Sequence, residues 1–443
     1  MRSKYWYVYI GIAAVTVLLA IAFTFTRVTD VYNYNFVTEK QEEIEIRFMS
    51  SWGGSDTKAW QLQQLLDQFE KNNPGVKIIN NSMSGDEFLF KLKTDFAQGN
   101  DPDVFGLWPG SDIKRLINAQ KVADLTEILS NDKEWYESFG EDAWEYCKYN
   151  DRIYGLPFEI IYEGLFINRD LFEKYGVKVP ETYEELLSAV RIFRRHNIIP
   201  IAYNSTPEGT FLYQNIVMKL GGKQDTENPY SCMGIEGSII NSCYTDAMRY
   251  MKELYDAKAF PENAFTIDNA TRNNLFIEKK AAMIVQGSWF IGKGYVDPND
   301  ETVDIVPFPS FIEGKADKTA IIYGLGNGSF HMSSIARNDP RKKDICLKLL
   351  KHLTSVDSAK AFLNQSGFIS NIKIPENELV ENRLNKIGKE LVSSSKELIG
   401  PTDSFIDRNQ WESVLVKRFP LVLIGELTPE EVFAEMHENA VLQ

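Results

Sequence analysis

The chain has 443 residues, which is too long for one ordinary hydrophobic core. Single cores stop growing at about 250–300 residues, so two lobes are expected. There are 48 Lys and Arg residues against 62 Asp and Glu, a net charge of −14 at pH 7. This balance argues against duplex nucleic acid or another polyanion as a partner, because phosphate binding depends on clustered Lys and Arg. It leaves a neutral ligand open.

The four cysteines and four histidines predict neither a metal site nor a cofactor. Cys232 and Cys243 lie in one Gly/Ser-rich segment. They can form a small disulfide in an oxidising compartment, or equally remain two free thiols. Cys147 and Cys346 fall within apolar helical patterns and are expected to be small buried side chains. The histidines are scattered, and none pairs with a cysteine at zinc spacing.

Residues 1–26 are typical of an export signal that stays in the membrane. Arg2 and Lys4 precede an uncharged, largely apolar run over residues 5–26. A bilayer span needs ~20 residues, whereas a removed signal has an apolar run of about 7–15. An A-x-A-like triplet at residues 20–22 leaves cleavage open, and no cysteine follows that could carry a lipid. With the basic end inside, we expect an anchor in the bacterial cell membrane, a tether over residues 27–43 and the remaining chain outside the cytoplasm.

The next part of the chain alternates strands with helices. Ile44, Ile46 and Phe48 alternate as a half-buried strand, and an apolar helical face follows at residues 62–69. Strands are predicted at residues 76–79 and 103–107, with a helix between them. This βαβαβ order predicts a parallel sheet flanked by helices.

A second α/β region begins near Leu156. Strands are predicted at residues 163–168 and 199–203, separated by a helix that opens at the capping box of Thr182 and Glu185. Further strands are predicted at residues 281–285 and 303–306, and helices dominate the rest of the chain. Two α/β regions followed by a helical tail are typical of a two-lobed α/β protein.

Aromatic and polar residues follow several predicted strands, where open α/β sheets place their ligands. Ser51 and Trp52 follow the first strand, and a Trp in a Gly-rich loop is expected to be exposed for ligand contact. Flat apolar rings suit the faces of a sugar, while carboxylates and amides suit its hydroxyls. The pattern therefore indicates a carbohydrate site.

Seven stretches, distributed in family order over the region from residue 44 to residue 436, resemble the extracellular solute-binding proteins of ABC importers, family 1, the oligosaccharide-binding group. They are FEKNNPGVKI (69–78), KLKTDFAQGNDPDVF (91–105), VADLTEIL (122–129), YGLPFE (154–159), FINRDLFEKYGVKVPETYEELL (166–187), AAMIVQGSWF (281–290) and LTPEEVFAEM (427–436). The resemblance implies a type II periplasmic-binding-protein fold, with an N-lobe over residues 44–155 and 321–367 and a C-lobe over residues 156–320 and 368–443. It also implies ligand capture by hinge closure, delivery to permease subunits and no catalysis.

The resemblance also implies which residues line the cleft. Trp108 would be a stacking platform, and Asp112, after Ser111, either an acceptor or the N-cap of the next helix. Glu159 would face the ligand at the lobe crossing or be a solvated hinge carboxylate. One of the aromatics Phe211 and Tyr213 is expected to reach the cleft. Trp289 would be a cleft aromatic, and Trp411 would either stack on the sugar or be buried. Gly326 and Asn327 lie in a loop that either offers backbone amides to the ligand or only forms a tight turn.

Two other functions remain open from the sequence. A glycoside hydrolase would use two carboxylates ~5–10 Å apart, and Asp112 with Glu159 is the available pair, although no spacing demands it. A co-receptor for a membrane sensor kinase would keep the fold and change the output. A neutral saccharide is the favoured ligand, with uronates and glycerol phosphates still possible.

Overall fold

The structure, a computed structural model, describes residues 4–34, 43–229, 242–363 and 365–441. Cys232 lies outside these ranges, so its predicted pairing with Cys243 stays a prediction. Cys147 and Cys346 are buried, as expected, and burial raises the pKa of both thiols.

Strands fall into two larger sheets and one small hairpin. In chain order, the strands of the described residues are β1 Ile44–Met49, β2 Val76–Asn80, β3 Val104–Gly106, β4 Lys148–Tyr149, β5 Arg152–Ile153, β6 Leu156–Pro157, β7 Glu159–Asn168, β8 Ile199–Ile201, β9 Ala281–Gly287, β10 Val303–Val306, β11 Ile321–Leu325, β12 Ser329–Met332, β13 Ile369–Ser370 and β14 Leu398–Ile399.

Helices separate and cover these strands. The α-helices of the described residues are α1 Lys4–Tyr34, α2 Ala59–Asn72, α3 Gly85–Gln98, α4 Ser111–Asn118, α5 Thr126–Asn131, α6 Lys133–Glu137, α7 Arg169–Tyr175, α8 Tyr183–Arg195, α9 Thr210–Glu227, α10 Cys243–Asp256, α11 Asn269–Ile277, α12 Ser334–Asn338, α13 Lys343–Leu353, α14 Val356–Leu363, α15 Arg383–Ser394, α16 Arg408–Gln410, α17 Lys417–Ile424 and α18 Pro429–Val441. A π-helical turn, Trp411–Val416, joins α16 to α17.

The first sheet has the order β2-β1-β3-β12-β6. β1 pairs in parallel with β2 and β3, with α2 and α3 as the connections, so the predicted βαβαβ unit is confirmed. β12 pairs antiparallel with β3 and β6, which makes the sheet mixed. Its core contains Phe48, Trp52, Leu62, Phe330 and Phe362.

The second sheet has the order β14-β11-β7-β9-β8, with β10 and β13 also paired to β7. The ten-residue strand β7 is therefore its central element. One large core cluster packs α8, α9 and α10 against this sheet and includes Val190, Phe193, Ile216, Met251 and Trp411. The two sheets thus belong to two lobes with separate cores, as an α/β binding fold requires.

The chain crosses between the lobes three times. β6 belongs to the first sheet and β7 to the second, so one crossing lies at Phe158. A second lies between β11 and β12, at residues 326–328, and a third lies between α14 and β13. The predicted boundary at residue 321 falls before β11, which is a strand of the second sheet. The crossing therefore comes a few residues later than predicted.

The N-terminal helix α1 contains the predicted anchor run. Across the described residues, no helix has both the length and the apolar character needed to cross a bilayer. The anchor is therefore not confirmed.

Candidate ligand-binding cleft

Loops from both lobes follow the carboxyl ends of parallel strands, β1 and β3 in the first lobe and β8 and β9 in the second. Beyond the crossings, the lobes also touch near Gly292 and near Gly110. Gly292 of the second lobe is so close to Thr57 that an added Cβ would lie 2.7 Å from the Thr57 Cβ. Gly110 of the first lobe packs in the same way against Ser404, at 3.4 Å. The space between these contacts is the candidate site.

Trp52 is not exposed, contrary to the prediction. Its side chain is 1% accessible and packs against Phe362 and Phe330, at ring-centroid distances of 4.9 and 5.5 Å. The loop after it is held inward, because Gly53 lies against the Ser82 carbonyl with no room for a Cβ. An indole surrounded by phenylalanines gains more from burial than from exposure. Ser51, beside it, is half-buried.

A buried ion pair lies where the first crossing begins. Lys58 Nζ is 3.3 Å from Glu159 Oε1, and the two residues are 1% and 2% exposed. Glu159 Oε2 accepts a hydrogen bond from the Gly328 amide at 3.1 Å. Burial raises the pKa of Glu159, whereas for Lys58 the Asp56 and Glu159 carboxylates outweigh burial and raise its pKa. Glu159 is therefore not a solvated hinge carboxylate.

Gly326 owes its place to close packing rather than to an unusual φ angle. A Cβ on this residue would lie 2.2 Å from Glu159 Oε2. Asn327, next in the loop, is 9% exposed, and its Oδ1 has no hydrogen-bond partner among the described residues. An unpaired buried acceptor beside the crossing is suited to a ligand hydroxyl or a water molecule.

Trp108 and Asp112 contact the opposite lobe. Asp112 is 6% exposed, and its Oδ2 lies 3.4 Å from Nε of Arg408 in the second lobe. The Arg408 guanidinium also lies over the Trp108 ring, 5.8 Å from its centroid. Ser111 is the first residue of α4 and Gly110 is its N-cap. The alternative prediction, that Asp112 caps this helix, is therefore wrong. These residues join the lobes in this structure.

Trp289 and Phe211 form an aromatic pair, here called the aromatic wall, beside the candidate site. Trp289 is half-buried in the 3-10 turn Ser288–Phe290, directly after β9. Its ring lies over Gly287, where a Cβ would be 2.2 Å from the indole. Phe211, at the start of α9, is also half-buried and meets it edge-on at 5.3 Å. Of the predicted aromatics from the second lobe, only these two are not fully buried.

Tyr213 and Trp411 belong to the core of the second lobe. Both are 0% exposed, and their ring centroids lie 6.2 Å apart. The Tyr213 hydroxyl donates to the Tyr244 carbonyl at 3.1 Å. Trp411 begins the π-helical turn and faces inward with Val414 and Leu415. The burial alternative thus describes Trp411, and of the pair Phe211 and Tyr213 only Phe211 is partly accessible.

Sequence reasoning missed Lys58, Glu163 and Arg408. Glu163 lies on β7 four residues after Glu159, on the same face of the strand, and is 2% exposed. Asn215 Nδ2 donates to its Oε2 at 2.8 Å. Period-two alternation in β7 could have placed Glu163 beside the site, whereas the partners of Lys58 and Arg408 are distant in the sequence and carry no local signal.

The two lobes and the three crossings between them define a two-lobed α/β fold of the solute-binding class. The chain belongs to the family of bacterial extracellular solute-binding proteins, which it matches over residues 54–356. Proteins of this family are described as extracellular and as binding solutes, which places the family outside the cytoplasm.

Relatives and solved structures support the same fold. The Multiple sugar-binding protein of Streptococcus mutans is 22% identical over 339 residues, which are 74% of this chain and 75% of the relative. A structure described for xylan utilization by Caldanaerobius polysaccharolyticus has 25% identity and a TM-score of 0.76, covering 89% of this chain and all of the other. A sugar transporter of Bacillus licheniformis in complex with stachyose has 20% identity and a TM-score of 0.71, covering 90% and 100%.

Proposed function

We propose that this protein captures a carbohydrate outside the cytoplasm and delivers it to the permease subunits of an ABC importer. The observation that carries the proposal is the half-buried pair Trp289 and Phe211, a partly accessible aromatic surface on the turn after β9 and at the start of α9. Stacking on such a surface suits the apolar face of a sugar ring. The sugar-binding names of the relatives support this choice of ligand.

Trp289 and Phe211 would stack on the sugar, with hydrogen bonds from the surrounding polar groups. We place Glu159, Asn327 and the backbone at Gly326 nearest to it, with Ser51 and Ser111 at the cleft edge. Trp108 and Asp112 would act through the lobe contact with Arg408. The role of Trp52, Tyr213 and Trp411 would be to hold the two cores that carry the site.

The ligand would be uncharged. The buried cations of the cleft are already paired, Lys58 with Glu159 and Arg272 with Glu208 at 2.8 Å. Arg408 lies among Asp112, Asp403 and Glu412. A uronate or a sugar phosphate would bring a negative charge into a region that already contains more acids than bases, at a cost in desolvation. This favours a neutral saccharide.

Capture would follow from closure of the two lobes around the ligand, with the crossings as the hinge. We further propose that α1 anchors the protein in the cell membrane. The uncharged run over residues 5–26 supports this, and its residues Ile10, Leu18 and Phe23 are exposed. The rest of the chain would then act on the extracytoplasmic side of the cell membrane, beside a permease.

A thermal-shift screen of the full-length protein in mild detergent tests the ligand class. The panel contains neutral oligosaccharides, including stachyose and maltotriose, together with uronates and sugar phosphates. A ligand at ~100 times its Kd adds ~2.7 kcal/mol of stability and raises the Tm by a few degrees. Shifts from neutral sugars alone are the expected result. A response to none of the saccharides would end the carbohydrate proposal.

A further inference from the structure

Glu163 is a buried carboxyl group with no cation beside it. It accepts one hydrogen bond, from Asn215 on α9, and forms no ion pair among the described residues. The other buried or half-buried acids of the cleft differ in this respect. Glu159 has Lys58 at 3.3 Å, Glu208 has Arg272 at 2.8 Å, and Asp403 has Arg408 at 3.8 Å.

The environment of Glu163 favours its uncharged form. Burial, and after it the nearby Asp403 carboxylate, raise its pKa well above the ordinary value. Within the described parts of the chain, Asp403 is the one charged group that acts on Glu163, and it lies 3.8 Å from Arg408. Of the elements that pack against Glu163, α9 presents Asn215 and β9 presents Gly287, while Glu159 on the same strand is paired with Lys58. An isolated buried carboxylate is strongly disfavoured, so protonation is the state that fits this position.

Glu163 lies next to the aromatic wall. In the antiparallel pairing of β7 with β9, Glu163 is directly opposite Gly287. Side chains at such positions project from the same face of the sheet, with Cβ atoms about 4.5–5.5 Å apart. Gly287 has no side chain, and the indole of Trp289 fills the space where one would be. The carboxyl group therefore lies at the edge of the stacking surface.

Hydrogen-bonding capacity remains open at the same place. Asn215 is 1% exposed, and its Oδ1 has no hydrogen-bond partner among the described residues. The proton of an uncharged Glu163 is a donor, since the interaction with Asn215 uses an acceptor oxygen. A donor and an acceptor side by side match a sugar hydroxyl, which both accepts and donates.

We propose that Glu163 is a specificity-determining residue of the site, which donates a hydrogen bond as an uncharged acid to a hydroxyl of the neutral sugar stacked on Trp289. This inference rests on the carbohydrate-binding function proposed above. It distinguishes two ligand classes, because a cationic amino sugar would instead pair with the ionised carboxylate. The acid form also makes neutral-sugar affinity fall as pH rises through the pKa of Glu163.

Calorimetric titration with the neutral oligosaccharides that stabilise the full-length protein, from pH 6 to 9, tests the role. Glu163→Gln is expected to bind within about threefold of wild type, because the amide also donates and carries no charge. Glu163→Ala removes one hydrogen bond and is expected to bind roughly tenfold more weakly. Affinity falls at high pH in the wild type and not in Glu163→Gln. Glu390→Gln, at an exposed position on α15, is the matched control.

Infrared difference spectroscopy provides a readout that needs no ligand. A carboxylic acid C=O stretch at neutral pH should be present in wild type and Glu390→Gln and absent in Glu163→Gln. Three results would each overturn the role of Glu163 while leaving carbohydrate binding intact. They are a missing band in the wild type, a Glu163→Ala variant that binds like wild type, and a Glu163→Gln variant that binds as weakly as Glu163→Ala. A wild type that shows the band and binds no saccharide would end the carbohydrate function and, with it, this role.

Discussion

Trp289 differs from Trp52 and Trp411 in keeping part of its ring accessible beside a second aromatic. We expect Trp289→Ala to weaken saccharide binding by about 1–3 kcal/mol, because stacking area is lost from the cleft wall. Thermal stability should change little, since the ring covers Gly287 rather than filling a core. Calorimetry measures the affinity and circular dichroism the melting temperature.

Trp60→Ala is the matched control for this prediction. Trp60 lies on α2, outside the cleft wall, and is 59% exposed. The control should bind like wild type. Equal affinities for Trp289→Ala and wild type would remove Trp289 from the site.

Trp52 tests the opposite role of an indole. It packs against Phe158, Phe330, Phe362 and Phe368, so Trp52→Ala leaves a large cavity in the core of the first lobe. We expect a loss of about 3–5 kcal/mol in the free energy of unfolding, measured by urea denaturation. A variant that keeps its stability and loses saccharide affinity would restore the sequence-based prediction of ligand contact.

At the scale of elements, the crossing strand β7 depends on a buried charge pair. Lys58→Met leaves Glu159 buried without its cation, and breaking such a pair costs about 3–5 kcal/mol. The double variant Lys58→Met/Glu159→Gln removes both charges and should recover much of that loss. Denaturant titration of the wild type and the two variants measures both steps. Similar stabilities for the single variant and the wild type would show that water solvates Glu159.

Regular elements were largely predictable because their signals are local. Alternation marked β1, and the capping box of Thr182 and Glu185 marked α8, where the Thr182 side chain accepts from the Glu185 amide. The position of the second crossing was not predictable. β11 and β12 are both short buried strands, and only their partners, β7 and β3, place them in different lobes.

The site was predictable only in part, for a related reason. Trp289 follows strand β9, and Phe211 follows strand β8 at the start of helix α9. Both are positions where the edge of a sheet supplies a ligand site. Whether an indole in such a loop is accessible depends on residues far away in the sequence. Phe330 and Phe362 cover Trp52, and no pattern in the sequence around Trp52 predicts these contacts.

At the scale of the whole molecule, Arg408 joins the lobes. It belongs to α16 in the second lobe and contacts Asp112 and Trp108 in the first, while the Arg115 guanidinium pairs with Asp407 beside it. These contacts favour the closed arrangement, because each exists only when the lobes meet. The affinity for a ligand held between the lobes therefore depends on them.

We expect Arg408→Ala to open the unliganded protein and to weaken saccharide binding roughly tenfold, about 1.4 kcal/mol, because closure must then proceed without this interlobe contact. Small-angle scattering should show a larger radius of gyration without ligand and a return to the wild-type value at saturation. Arg418→Ala is the matched control, since Arg418 pairs at 3.0 Å with Glu435 of its own lobe. The same compactness for unliganded Arg408→Ala and wild type would show that the crossings alone set the lobe angle.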